Sequence, residues 1–421
     1  MWYEVLWRLA LPFALARLWW RGIREPGYRR HIGERFGRHA PLPDAKPVIW
    51  IHAVSVGETR AAQPLIARLQ QDFPQHQILL TAMTAAGRAT SEAVYGDKVT
   101  RAWLPYDTAS AVERFLDWCR PQFGVLMETE LWPNLILRAR ARGVPVFLAN
   151  ARLSEKSARG YARLPTITAR VLRALAGIAA QAPSDAERLI ALGATNVAVT
   201  GNLKFDMTIP EAALEQARVL RAMFGAGRPL WVAGSTRDGE EALLLDAMAL
   251  ARASLPTDAL LLIVPRHPQR FDDVARLLER RGVRYARRSD GMPLAADVAV
   301  VVGDSMGEMF AYYGAADVAF IGGSLLPLGG QNLIEPLAVG TPVVIGPSSY
   351  NFSEATREAV AHGVARQCAD ASAVLDAVAA LLRDADARAR MRAAARSLLE
   401  AYRGATERTA RWIEDQLRSM R

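Results

Sequence analysis

Cysteine is nearly absent: Cys119 and Cys368 are the only two in 421 residues. They lie far apart, with no cysteine or histidine at zinc-ligand spacing near either, which argues against a disulfide framework and a zinc site. Both read as buried, reduced thiols in a cytoplasmic setting. The chain also lacks a P-loop and the G-x-G-x-x-G fingerprint, so the two commonest phosphate-cradling signatures are excluded. The only Asp-x-Asp, Asp384-Ala385-Asp386, lies in an Arg- and Ala-rich helical stretch and reads as a solvated face. No metal ligands are therefore assigned, and a metal-independent reaction is expected. Aromatic and basic residues do not interleave, and no recognition-helix motif occurs, which argues against nucleic acid as the partner. No low-complexity segment calls for disorder.

What is present is a large apolar fraction, 51%, enough to fill two cores of about 200 residues each. The net charge of +9 points to a polyanionic partner: nucleic acid, a phosphorylated substrate or an anionic membrane face. Residues 1–22 are rich in Trp, Leu, Phe and Ala. On a helical wheel Trp2, Val5, Leu6, Leu9, Pro12, Phe13, Ala16 and Trp20 share one half, while Glu4, Arg8, Arg17 and Arg21 fall on the other. That pattern predicts an interfacial helix at a cytoplasmic membrane face, with an amphipathic helix docked on its own domain as the alternative, and no small-residue cleavage site follows it. The basic segment carrying Arg24, Arg29, Arg30, Arg35 and Arg38 suits an anionic leaflet.

From Pro47 to about Thr200, short apolar runs alternate with helical segments. Val48 to Ile51, Ile78 to Thr81, Ala102 to Leu104, Val125 to Met127, Val144 to Leu148, Ile178 to Ala180 and Val197 to Thr200 read as buried strands of a parallel, doubly wound sheet. The rhythm breaks around Met207 to Pro210. It resumes with Leu230 to Ala233, Leu260 to Val264, Val298 to Val302, Val318 to Ile321 and Val343 to Ile345. The expected fold class is α/β: two doubly wound parallel-sheet domains with a cleft between them. The expected boundaries are an amino-terminal membrane-associated helix over 1–22, a first domain over 23–207, a second over 208–385, and carboxyl-terminal helices over 386–421 packing back toward the first.

Polar clusters sit where ligands bind in such sheets, at the carboxyl ends of strands. Ser55-Val56-Gly57-Glu58 puts a carboxylate at a strand-to-helix turn, as a helix-dipole partner or as a reactive group. Glu128 and Glu130 follow another strand, two apart, so that in an extended turn both can point the same way. Asn150-Ala151-Arg152 adds a cation at the same edge, and Lys204 ends the first domain, where a point charge can meet a phosphate leaving group. In the second half, Pro265-Arg266-His267-Pro268, Met306-Gly307-Glu308, Gly322-Gly323-Ser324 and Gly329-Gly330-Gln331-Asn332-Leu333-Ile334-Glu335-Pro336 have the composition of a nucleotide site. Their glycines permit close backbone approach, and Glu335 can accept from ribose hydroxyls.

This set, with Met127-Glu128-Thr129-Glu130-Leu131-Trp132-Pro133-Asn134, Asn202-Leu203-Lys204-Phe205-Asp206 and Gly33-Glu34-Arg35-Phe36-Gly37, closely resembles the 3-deoxy-D-manno-octulosonic acid (Kdo) transferases of Gram-negative bacteria. The likeness runs nearly the whole chain in order. It implies a GT-B glycosyltransferase of two Rossmann-like domains, the first for the acceptor and the second for the donor, CMP-Kdo, with no separate cofactor. The acceptor it implies is the tetraacylated, bisphosphorylated lipid A precursor at the cytoplasmic face of the inner membrane, and the reaction is inverting. By motif, Glu58 matches the general base, and Glu128 and Lys204 match residues that stabilise the transition state. Pro265, Arg266, Met306, Gly307, Glu308, Asn332, Leu333, Ile334 and Glu335 match CMP-binding positions. The alternatives are another GT-B nucleotide-sugar enzyme, such as a UDP-sugar transferase or epimerase, a basic nucleic-acid-binding protein, and a non-catalytic membrane scaffold.

Overall fold

In the computed structural model, which describes residues 2–250, 254–291 and 294–420, the chain divides into two compact units. The first comprises Met1–Met207 with Arg403–Arg421, and the second Thr208–Tyr402.

The first unit is built on a seven-stranded parallel sheet in the order β3-β2-β1-β4-β5-β6-β7. Its strands are β1 Val48–His52, β2 Gln77–Ala82, β3 Thr100–Trp103, β4 Pro121–Met127, β5 Val146–Ala151, β6 Gly177–Ala180 and β7 Val197–Val199. Strands β1, β2 and β5 are buried on both faces, which is why they are nearly continuous runs of apolar residues. The pleat sorts those residues between two cores. Val48 and Trp50 join one apolar cluster, Ile49 and Ile51 the other. Trp50 fits because Gly124 on β4 has no side chain: a Cβ there would lie 2.5 Å from the indole.

The second unit repeats the plan in the order β10-β11-β9-β8-β12-β13-β14. Its strands are β8 Leu230–Thr236, β9 Leu260–Pro265, β10 Tyr285–Arg287, β11 Val300–Val302, β12 Val318–Ile321, β13 Val343–Ile345 and β14 Ala365–Gln367. The sequence pattern missed β10 and β14. Both are three-residue outer strands carrying arginine, and they give no apolar run to read.

Helix Ala385–Tyr402, expected with the carboxyl-terminal tail from residue 386, belongs to the second unit. Ala387 and Met391 are buried in that unit's core, and Arg392 Nε donates to the Gly340 carbonyl at 3.0 Å. Asp384 caps this helix by accepting from Ala387 N at 2.7 Å, so it is a helix-start residue and not part of a solvated helical face. Only the segment from Arg403 returns. Its helix Ala405–Ser419 buries Ala405, Ala410 and Ile413 in the first unit's second core. Asp206 fixes the entry of that helix by accepting from Gly404 N at 2.7 Å and Thr406 N at 2.6 Å.

The amino-terminal helix runs Trp2–Arg24, and no helix among the described residues is long and apolar enough to cross a membrane. It docks by its polar side. Tyr3 donates to Asp107 at 2.8 Å, and Glu4 accepts from Ala109 N at 3.0 Å and Asn134 Nδ2 at 3.2 Å. Its apolar half faces outward, with Leu9 65%, Phe13 78% and Trp20 64% exposed. The basic segment that follows is mostly structural. Arg35 is buried over the Trp103 ring, Arg29 lies over Trp19, and Glu34 takes Arg88 and Trp103 N, each at 2.7 Å.

Asp206→Ala removes both acceptors at the start of the returning helix and is expected to destabilise the protein by about 2 kcal/mol, read as a lower urea midpoint at unchanged slope.

Candidate active site

The first sheet reverses its strand order between β1 and β4, and the conspicuous acids follow these two strands. Brought together there, at the carboxyl ends, are Glu58, Glu128, Glu130 and Lys204.

After β1 the chain turns at Ser55 into helix Val56–Ala61. Ser55 Oγ accepts from Glu58 N at 3.4 Å, while the Glu58 carboxylate accepts from Val54 N at 2.8 Å and Ser55 Oγ at 2.9 Å. This reciprocal cap fixes where the carboxylate sits. It does not keep the group ionised. Burial, and then the negative charge of Glu128, push the Glu58 pKa up to about 8, against the pull of Val54 N–H and Ser55.

After β4, Glu128 adopts a left-handed φ of 60°. For a non-glycine residue that costs about 1–2 kcal/mol, so the surroundings must hold it. Lys204 Nζ does so at 2.7 Å. Burial alone would raise the Glu128 carboxyl. Lys204, helped by Arg152, outweighs it and keeps Glu128 below the usual range and charged. Glu130 departs from its neighbour: it accepts from Trp132 Nε1 at 2.9 Å, and burial raises its pKa. The two acids thus take different partners, although both add negative potential at Glu58.

Lys204 is held from behind by two asparagines. Asn202 Oδ1 accepts from Lys204 N at 3.0 Å, and Asn150 Oδ1 from Leu203 N at 3.0 Å. Asn150 is fully buried with a φ of 54°, and its Nδ2 has no hydrogen-bond partner among the described residues. Its importance was not read from the sequence. The available signal was an asparagine, the residue type that best tolerates the left-handed region, at a strand end. His52, at the end of β1, is neutral: burial takes its pKa down to about 3, and Nδ1 sits 3.1 Å from the Thr81 carbonyl.

In the second unit the reversal lies between β8 and β12. Ser235, at the end of β8, has a φ of 57°, and Gly322 after β12 packs so closely that a Cβ would lie 2.4 Å from the Ser235 carbonyl oxygen. Two acids absent from the sequence assignment hold these turns. Buried Glu240 accepts from Gly323 N at 2.6 Å, Leu325 N at 3.0 Å and Arg237 N at 2.9 Å. Glu241 binds Arg270 at 2.6 Å and Thr236 Oγ1 at 2.7 Å. The only signal was an acidic pair soon after a strand.

The candidate donor residues occupy this sheet's carboxyl edge. Pro265 ends β9, and Arg266 N donates to the Thr236 carbonyl at 3.0 Å. His267 titrates below its ordinary value through burial and then Arg237, Arg266 and Arg270, a concentration of positive charge suited to an anion. Met306 is exposed and Gly307 has a φ of 85°. Glu308 binds Arg288 at 3.1 Å and accepts from Tyr312 Oη at 3.1 Å, with Gln216 and Ser305 also bonded to its carboxylate. Asn332 Oδ1 accepts from Ile334 N at 3.1 Å. Leu333 and Ile334 are buried, so their side chains serve the core and only their main chain is open to a ligand. Glu335 stands in the first turn of helix Ile334–Ala338.

A high-pKa carboxylate beside a charged acid and lysine on one sheet, and a cationic set of glycine turns on another, are the parts of a glycosyltransferase. Residues 243–398 match the model of the glycosyl transferases of group 1, and residues 30–207 that of the 3-deoxy-D-manno-octulosonic-acid transferases. The chain is 46% identical, over 95% of its length and 96% of the relative's, to a 3-deoxy-D-manno-octulosonic acid transferase of Bordetella pertussis. It is 38% identical to that of Haemophilus influenzae, over 96% of both chains. It belongs to the Kdo transferase family. Among solved structures, an Anabaena HepE with UDP and glucose shares the fold at a TM-score of 0.61, with 14% identity, over 89% of this chain and all of that one. The family membership favours Kdo transfer over the alternative of another GT-B nucleotide-sugar enzyme.

Activity that depends on ionised Glu58 is expected to rise with pH to a plateau, with a kcat/KM midpoint near 8. Glu128→Gln removes the negative neighbour and should move that midpoint toward acid, measured on the residual activity across pH 5 to 10.

Proposed function

We propose that the protein transfers Kdo from CMP-Kdo, with inversion, to a sugar hydroxyl of the tetraacylated, bisphosphorylated lipid A precursor at the cytoplasmic face of the inner membrane. The observation that carries this reading is the buried Glu58 carboxyl with a pKa near 8, adjoining the Glu128–Lys204 pair. In the proposed step, Glu58 takes the proton of the acceptor hydroxyl as its oxygen bonds to the anomeric carbon of Kdo. The bond from that carbon to the CMP phosphate breaks, and its electron pair leaves on the phosphate oxygen. A base with a pKa near the working pH suits this task, because it combines an accessible ionised form with real proton affinity. Glu128 stays negative and stabilises positive charge developing on the sugar, Lys204 is the first unit's cation for the departing phosphate, and Arg266 belongs to the cytidylate site of the second unit. The transfer so described is metal-independent, and CMP-Kdo is a substrate with no cofactor beside it. Pro265, Met306, Gly307, Glu308, Asn332, Leu333, Ile334 and Glu335 complete the proposed cytidylate site, Leu333 and Ile334 through their main chain.

The outward apolar half of helix Trp2–Arg24 supports attachment to a membrane surface. Leu9 and Phe13 on that half are largely exposed, and lipid is the medium that would cover them.

Purified protein incubated with CMP-Kdo and the acylated disaccharide bisphosphate should yield a Kdo adduct by mass spectrometry. Glu58→Gln should lower kcat by at least about a hundredfold with donor affinity unchanged. Substantial remaining turnover would reject Glu58 as the base. Phe13→Glu, on the exposed half of the helix, should leave the melting temperature unchanged and weaken sedimentation with phosphatidylglycerol vesicles.

A further inference from the structure

Beside the catalytic turn, the first unit has a groove of about 720 Å³ that none of the steps above uses. It runs between helices Pro133–Ala141 and Pro165–Ala174, and Tyr3 of the amino-terminal helix lies on its rim. Its lining is of two chemical kinds. Leu137, Leu164 and Ile167 supply apolar surface, and Arg138, Arg163 and Arg170 supply positive charge.

The guanidinium groups of Arg163 and Arg170 have no ion pair or hydrogen bond among the described residues. Arg138 pairs with Glu113, yet its Nε is buried without a hydrogen-bond partner among the described residues. Cations left unneutralised beside apolar surface match a ligand that carries both an anion and a hydrocarbon chain.

Two short stretches of chain lead from the groove toward the catalytic turn. Pro133 and Asn134 line it, and the residue before them, Trp132, donates to Glu130 and lies edge-on to His52 at 6.5 Å. Tyr161 feels the charge of Glu130, and Arg163 follows two residues later. These connections put the groove on the same side of the chain's turns as Trp132 and Tyr161, which neighbour Glu130.

We infer that this groove binds a phosphate group and an acyl chain of the acceptor itself, the phosphate on Arg163 and Arg170 with Arg138, the chain against Leu137, Leu164 and Ile167. The inference rests on the acceptor reading above. It adds a subsite that selects phosphorylated, acylated acceptors and sets the reacting sugar near Glu58. The short chain connections from the groove to Trp132 and Tyr161, both neighbours of Glu130, favour the acceptor over a bulk membrane phospholipid.

The test is the double variant Arg163→Ala/Arg170→Ala, assayed with the tetraacylated disaccharide bisphosphate and with the same disaccharide lacking phosphates. The expected result is a rise of about tenfold or more in acceptor KM for the bisphosphate, from the loss of charged hydrogen bonds. The KM for the phosphate-free acceptor, the KM for CMP-Kdo, and sedimentation with phosphatidylglycerol vesicles should not change. An unchanged KM for the bisphosphate, or an equal rise for both acceptors, overturns the subsite while leaving the acceptor reading intact. Vesicle binding that falls with the acceptor KM unchanged assigns the groove to bulk phospholipid and also overturns it. Failure of the unaltered protein to transfer Kdo to either disaccharide overturns the acceptor reading and the subsite together.

Discussion

Almost everything at the first unit's carboxyl edge depends on the bond between Lys204 and Glu128. It allows a buried acid to remain charged in a left-handed backbone conformation, and that fixed charge is one reason Glu58 holds its proton so firmly. Two carboxylates this close cannot both be ionised cheaply. The lysine decides which one is. One acid is therefore held as a negative charge while the pKa of the other is raised, a difference to which a single cation contributes.

The left-handed residues at strand ends extend this logic. Glu128, Asn150 and Ser235 each stand where a strand ends and a functional turn begins. Asn150 ties the turn after β5 to the chain ahead of Lys204, so the lysine is placed by β5 as well as by its own segment. In the second unit, Glu240 does comparable work with three main-chain donors, joining the turn after β12 to the end of β8. Such carboxylates are rigidifying elements: they satisfy N–H groups that would otherwise be open in tight, glycine-rich turns.

Much of this was legible in the sequence because parallel strands buried on both faces leave long apolar runs, and twelve of the fourteen are visible in that way. The two missed, β10 and β14, lie at sheet edges, where one flank is open and the pattern fades. The acids after β1 and β4 were legible for a similar reason, since a carboxylate directly after an apolar run is conspicuous. Asn150 and Glu240 were not. They act through main-chain hydrogen bonds to distant segments, and no local pattern records which N–H group a side chain will meet. The extent of the carboxyl-terminal return was also hidden, because an Ala- and Arg-rich helix gives no sign of which core will bury its alanines.

That return has a consequence for how the protein is made. Ala405, Ala410 and Ile413 complete a core whose other members, from Ile49 to Leu203, are synthesised some two hundred residues earlier. The second unit is contiguous and has all its residues once Tyr402 is out. The first has to wait on the ribosome with one face of its sheet partly uncovered, so the half that begins first is the half that finishes last.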